Sequence, residues 1–310
     1  MSSGVALPGP QRTRGRWLVF LATVFWGTTA TLARSVFRDA GVDPLMVVEL
    51  RLVIAASALF VWIVIRDRRL LRIDLKDLPY LMVLGLAGVA AVQGTYYYAI
   101  AKLGVGPAIL LQYLAPSLIV VWDLARGVRP RAGMVGAVAL ALAGTALLVS
   151  GMSTGVGGAS LFDRAVGFSS AVIFAFYVLY SKRGLARYAP ETLLFYTFVI
   201  AAVGWAVVIP PQRIIAMHFD AGLWFRFVLL GLFSTLVPFR CFYSGLKRLP
   251  AAEAAVIATA EPVVAIVAAA VFLGESLVSV QYLGASLVIV AAVLATREHP
   301  ETGPGRADVN

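Results

Sequence analysis

The stretch RCFYSGLKRLPAAEAAVIATAEPVVAIVAAAVFLGE, Arg240 to Glu275, repeats the outline of an earlier one, YYYAIAKLGVGPAILLQYLAPSLIVVWDLARG, Tyr96 to Gly127. Laid side by side at an offset of 146, Tyr97 falls on Tyr243, Leu103 on Leu249 and Pro116 on Pro262. At nearly the same offset Val53-Ile54-Ala55-Ala56 falls on Val199-Ile200-Ala201-Ala202, Pro44 on Pro190, and Trp26 lands near Phe174. One half of the chain is therefore a diverged copy of the other.

Working outward, the 310 residues are 60% hydrophobic and only 14% charged, which is the composition of a protein immersed in lipid. Apolar runs of about 18 to 22 residues recur, the length that crosses a hydrocarbon layer. Between charged or Pro/Gly punctuation ten spans are predicted, at 17–36, 45–65, 79–101, 107–124, 133–150, 166–182, 191–209, 224–246, 251–272 and 278–296. The net charge of +10 would suggest nucleic acid in a soluble protein. Here the charges lie between spans, so the expected partner is the lipid bilayer and no nucleic acid. A single cysteine, Cys241, excludes an intrachain disulfide, and His218 and His299 have no metal-ligand spacing. No metal and no cofactor are expected.

Lys and Arg set the orientation. With the N-terminus inside, eighteen of them face the cytoplasm, from Arg12, Arg14 and Arg16 through the basic loop Arg66 to Lys76 to Arg297 and Arg306. Five, Arg38, Lys102, Arg164, Arg213 and Arg226, face outward, and Arg34, Arg51 and Arg240 lie within or at the ends of spans. That asymmetry predicts a multi-pass protein of the cytoplasmic membrane with both termini cytoplasmic. Five spans per half is an odd number, so the second copy enters from the opposite side. The expected fold is all-α integral membrane, ten transmembrane helices as two inverted five-helix repeats, residues 17–150 and 164–296, flanked by disordered cytoplasmic tails 1–16 and 297–310. A cleaved signal peptide is the rival reading of the N-terminus. The duplication opposes it, because Trp17 to Val36 has a counterpart at Val166 to Arg183. Two halves related by an axis in the membrane plane can exchange conformations, which is what a transporter needs. Gly133, Ala137, Ala141 and Thr145, with Gly136 and Gly144 beside them, predict close helix packing in the fifth span.

These residues resemble the EamA type of the drug/metabolite transporter superfamily. The resemblance rests on Glu261-Pro262-Val263, Leu273-Gly274-Glu275 and Gly284 in the second half, and on Phe25-Trp26-Gly27 and Arg51 in the first. There are departures: Ala125-Arg126-Gly127-Val128 stands where the first repeat would carry its own Leu-Gly-Glu, and Phe174-Ala175 replaces Trp26-Gly27. The resemblance implies movement of a small-molecule substrate, a metabolite, amino acid or drug-like compound, and does not choose among them.

Ionisable and polar groups inside spans are the candidate site residues, because lipid exposure costs each a few kcal/mol. Glu261, about eleven residues into its span or roughly 16 Å deep, is the candidate protonatable site, with a proton as candidate coupling ion. A glutamate locked beside the Pro262 kink is the structural reading. Pro116 and Pro262, at matching depths, each free a carbonyl and are candidate hinges, with matched bends needed only for packing as the alternative. Arg51 suits a substrate carboxylate, or else is held structurally by a partner from another helix. Gln93, Tyr97, Gln112, Tyr113, Tyr243 and Trp26 are candidate walls of a cavity for a small, partly apolar, zwitterionic solute, with aromatic packing as the alternative. Arg240 is expected to snorkel and Glu275 to cap or end a helix. The expected function is secondary transport by alternating access, not enzymology. A lipid-modifying membrane enzyme is the alternative, resting on Asp74 and Asp77 in a basic loop read as solvated; a channel would need a polar filter that the chain lacks. With no P-loop, ATP does not drive transport within this chain. The sequence sets no oligomeric state.

Overall fold

The computed structural model describes residues 9–39, 41–150, 160–273 and 278–297, and among these there are helices and turns but no strand. Ten long helices follow one another: α1 Gly9–Asp39, α2 Pro44–Arg66, α3 Leu75–Leu103, α4 Val105–Ala125, α5 Ala132–Val149, α6 Leu161–Leu185, α7 Pro190–Val208, α8 Ala221–Leu246, α9 Ala251–Phe272 and α10 Ser279–Arg297. Nine are long and apolar enough to cross a membrane by themselves. The other, α1, has 31 residues, about 46 Å of helix. Thr28 and Thr29 of α1 return their hydroxyls to the carbonyls of Val24 and Phe25, both at 2.6 Å, so these polar side chains need no water. α1–α5 and α6–α10 are the two inverted repeats.

Helix ends are set by ordinary chemistry. Asp43 caps α2 by accepting from the Leu45 N–H, with Pro44 in the first turn. Ser160 and Asp163 form a reciprocal capping box on α6. Asp220 accepts from the Leu223 N–H to start α8. Gly104, at φ 88°, makes the sharp link from α3 to α4 that a side chain would oppose.

The α1 segment corrects the expected tail. Residues 9–16 are helical and continue α1 downward, because Arg12 and Arg16 both reach the buried carboxylate of Glu253. A segment that gains two charge-assisted bonds no longer benefits from staying solvated.

The duplication shows in the packing. α1 lies on α8 and α9, while its counterpart α6 lies on α3 and α4. Both α3 and α8 contain a π-helical turn, Leu84–Ala90 and Leu230–Leu236, again 146 apart. α2 packs on the turn in α8, and α7 on the turn in α3. Contact there is close enough that a Cβ on Gly231 would stand 2.5 Å from Ile54, and one on Gly85 2.6 Å from Ile200. In lipid such close packing replaces the hydrophobic effect as the force between helices. The small-residue stripe of α5 meets α10 in the same way, and a Cβ on Gly144 or Gly284 would meet the other's carbonyl oxygen at 2.7 Å.

Candidate functional site

The site is built on two interruptions. α4 divides into Val105–Gln112 and Ala115–Ala125, and α9 into Ala251–Ala258 and Glu261–Leu273. Pro116 has no N–H for the Gln112 carbonyl, and Pro262 none for that of Ala258. Each chain tightens into a three-residue turn before its proline, Leu114 N–H to Leu111 and Ala260 N–H to Ile257, both at 3.1 Å. The helices then restart with Leu118 to Leu114 and Val264 to Ala260. The breaks fall at Tyr113-Leu114 and Thr259-Ala260, 146 apart.

At these breaks the two halves meet. The Tyr113 hydroxyl donates to Glu261 Oε2 at 2.8 Å, joining α4 to α9. Tyr113 is buried, and Arg51 and Tyr96 both lie within electrostatic reach of the Glu261 carboxylate. Arg51 is buried and each of its nitrogens has a neutral partner: Nε donates to Thr235 Oγ1 at 2.9 Å, Nη1 to the Tyr97 hydroxyl at 2.5 Å, and Nη2 to the Ser234 carbonyl at 3.2 Å. The π-helical turn of α8 supplies two of these, the Thr235 hydroxyl and the Ser234 carbonyl. Among the described residues Arg51 has no carboxylate within ion-pair distance. A buried guanidinium surrounded by dipoles is thus placed near, but not against, a carboxylate.

The structure therefore brings together Glu261, Tyr113, Arg51 and Tyr97. It does not bring Tyr243 to them. Tyr243 is fully buried and shares a 2.9 Å hydrogen bond with Ser181, next to Thr197 and Tyr177. Thr197 stands 146 residues after Arg51, so the Arg51–Tyr97 pair of one repeat is a Thr197–Tyr243 pair in the other. Trp26 turns its indole onto Phe239 and Phe242, at 5.3 and 5.7 Å between ring centroids, within an aromatic cluster. Gln93 is buried with its Nε2 unpartnered among the described residues, and half-buried Gln112 ends the first segment of α4.

Several other placements differ from expectation. Asp77 is not solvated: it is buried, with Arg187 Nη1 at 2.5 Å from Oδ1 and the Tyr188 hydroxyl donating to Oδ2. Burial and that donation hold the Tyr188 phenol above its usual range. The Asp74 carboxylate caps the turn by accepting from the Lys76 N–H at 3.0 Å, and its own N–H donates to the Tyr188 hydroxyl at 3.3 Å. The acidic pair an enzyme would draw on is thus already committed. Arg240 does more than snorkel, pairing with Glu191 at 2.9 Å over the Trp62 ring. Glu275 lies outside the described residues. Two buried acids escaped the sequence reading. Glu253 takes Arg12 at 3.0 Å and Arg16 at 2.7 Å; its place in the first turn of a helix was the available signal. Glu49 is buried with Oε2 unpartnered among the described residues, and nothing in its local sequence announces that.

Comparison with known proteins agrees with this architecture. A family model described as the EamA-like transporter family matches residues 13–150 and again 165–297. The chain is 26% identical to an uncharacterized inner membrane transporter, YicL, of Salmonella typhimurium, over 91% of this chain and 94% of that one. It is 28% identical to an uncharacterized transporter of Archaeoglobus fulgidus, covering 91% and 99%. The threonine/homoserine exporter RhtA of Escherichia coli K12 is 27% identical, covering 94% and 95%. One crystal structure shares the fold with a TM-score of 0.75 at 23% identity, over 92% of this chain and 96% of that one.

Proposed function

The chain belongs to the EamA-like transporter family, and from that premise we propose that it is a secondary transporter exporting small organic metabolites across the cytoplasmic membrane by alternating access. The observation that carries the reading is the contact of two broken helices from inverted repeats, Tyr113 on Glu261, beside the buried Arg51. Breaks in spanning helices expose backbone groups at mid-depth where a solute can use them, and matched breaks let the halves rock about a fixed centre.

The roles follow from the chemistry. Glu261 exchanges a proton and couples the gradient to transport. Arg51 receives the carboxylate of the solute, because its present partners are neutral and a desolvated guanidinium gains most from an anion. Tyr97 and Tyr113 hold the two charged groups apart, and Pro116 and Pro262 serve as hinges. Amino acids are the first substrates to try, in keeping with the name of the threonine/homoserine exporter among the relatives, and drug-like compounds second. Both termini are cytoplasmic, where the larger share of Lys and Arg lies.

The test is solute flux in proteoliposomes with and without a pH gradient, comparing wild type, Glu261→Gln and Arg51→Lys. The expected result is that Glu261→Gln abolishes gradient-driven flux while retaining substrate binding, and that Arg51→Lys weakens binding of carboxylate-bearing solutes about tenfold through loss of the planar fork. Unaltered gradient-driven flux in Glu261→Gln makes that residue structural; no flux of any solute through the wild type removes the transport reading.

A further inference from the structure

On the face where α1 begins, a cavity of about 230 Å³ lies between the start of α3 and the end of α6. Its lining includes Asp77, Tyr80, Tyr180, Arg183, Arg187 and Tyr188. Tyr80 and Tyr180 stack with ring centroids 4.3 Å apart, and the Tyr80 hydroxyl donates to the Tyr180 carbonyl, which makes one wall rigid. A second part of the lining is the Arg187–Asp77–Tyr188 group, in which the acid is neutralised by Arg187 and occupied by Tyr188. Arg183 is different. It is exposed and lines the cavity, and its guanidinium makes no hydrogen bond or ion pair among the described residues.

With one ion pair internally balanced, the lining carries a net charge of +1, all of it on a guanidinium whose fork is free. That is the complement of a monoanion presenting two oxygens side by side. The cavity also lies at a particular height. Leu78, Met82 and Val83 of α3 are exposed beside Tyr80, and Phe176 stacks on Tyr180 at 4.8 Å, so apolar surface begins within a turn of the charged groups. From the end of α2 into the first turn of α3 runs a segment with Arg66, Arg68, Arg69, Arg72 and Lys76 against Asp67 and Asp74, a net charge of +3 that attracts anions at a membrane surface. Charged, aromatic and apolar groups thus lie within a turn of one another, the order of surfaces that a lipid headgroup and its acyl chains would meet.

We propose that this cavity binds a phosphate monoanion, in the bilayer the phosphodiester of an anionic phospholipid headgroup, with Arg183 as its principal ligand. The Tyr80–Tyr180 pair packs against the glycerol portion, and the Arg187–Asp77 pair, balanced within itself, completes the lining. The site is separate from Glu261 and Arg51 and does not depend on the transport reading.

The experiment measures lipid binding to the purified, delipidated full chain by native mass spectrometry, using phosphatidylglycerol and phosphatidylcholine with identical acyl chains, and inorganic phosphate as competitor. Wild type is expected to retain phosphatidylglycerol in preference to phosphatidylcholine. Arg183→Gln is expected to weaken that retention about tenfold without moving the thermal midpoint of the lipid-free protein, and Arg183→Lys to weaken it less. Displacement of the lipid by millimolar phosphate in wild type but not in Arg183→Gln would assign the site to phosphate in general; absence of displacement assigns it to the lipid. Equal retention of phosphatidylglycerol by wild type and Arg183→Gln overturns the proposal, as does equal retention of the two lipids by wild type. Were Arg183→Gln to unfold, Arg183→Lys decides alone, since retention indifferent to loss of the planar fork has the same meaning.

Discussion

Two residues, Arg51 and Thr197, stand at equivalent places in the repeats, each near an equivalent tyrosine, Tyr97 or Tyr243. Divergence has left a charge in one and a hydroxyl in the other, so the fold is duplicated while its centre is not. Glu261 has the same one-sidedness, since Ala115 occupies its position in the first repeat. Glu253 is a third unmatched charge, with Pro107 at its counterpart position. Here the consequence is stability. Glu253 is almost fully buried and its two arginines partly so, which places the pair between surface and interior cases. Glu253→Leu is expected to destabilise by about 2 kcal/mol through the stranded arginines and to free residues 9–16, and Glu253→Gln by less. Thermal unfolding in detergent measures this, and an unchanged midpoint in Glu253→Leu would show that the contact contributes nothing net.

Elements pack here through missing side chains. Gly144 on α5 and Gly284 on α10 let the two backbones approach, and an added Cβ at either would strike a carbonyl oxygen that cannot move aside. On the same helix Gly136 offers ordinary space, its added Cβ meeting Leu294 at 3.5 Å. Gly144→Ala is therefore expected to cost about 2–3 kcal/mol and Gly136→Ala close to none or a slight gain in helix propensity. Thermal midpoints of the two variants side by side check the contrast; equal midpoints would mean that α5 and α10 are not held by close backbone approach. The stripe itself was readable from spacing, and so were the matched prolines, because both are local patterns. The π-helical turns were not. Leu84-Gly85-Leu86 and Leu230-Gly231-Leu232 match each other, yet an ordinary helix accepts either, and only packing on α7 and α2 forces the wider turn.

For the whole molecule, five crossings per repeat and an exchanged packing scheme mean that neither half is complete alone: α1 rests on the second repeat and α6 on the first. Both broken helices belong to this exchange, and the Tyr113–Glu261 hydrogen bond joins them across the two repeats. Orientation in the membrane is tested directly with single cysteines in a Cys241→Ser background. Ser160→Cys, at the start of α6, is expected to react with a membrane-impermeant thiol reagent on intact cells, and Lys247→Cys, at the end of α8, only after permeabilisation. The reverse pattern at both positions would place the termini outside.

What the sequence determined by itself was the duplication and the ten crossings, because both are written in local hydropathy and a constant offset, while its short motifs carried a resemblance to the family that the family model then showed. Tertiary structure alone decided which polar groups meet. The spanning helices are apolar nearly all round, so their composition does not specify how each is turned about its axis, and that rotation chooses between burying a side chain against a neighbour and facing it to lipid. Hence Arg51 could be recognised as needing a partner from another helix, but not that the partners would be Tyr97, Ser234 and Thr235. Likewise the charges of Arg12 and Arg16 by themselves predict a disordered tail, and only the fold brings to them a buried acid 237 residues beyond Arg16.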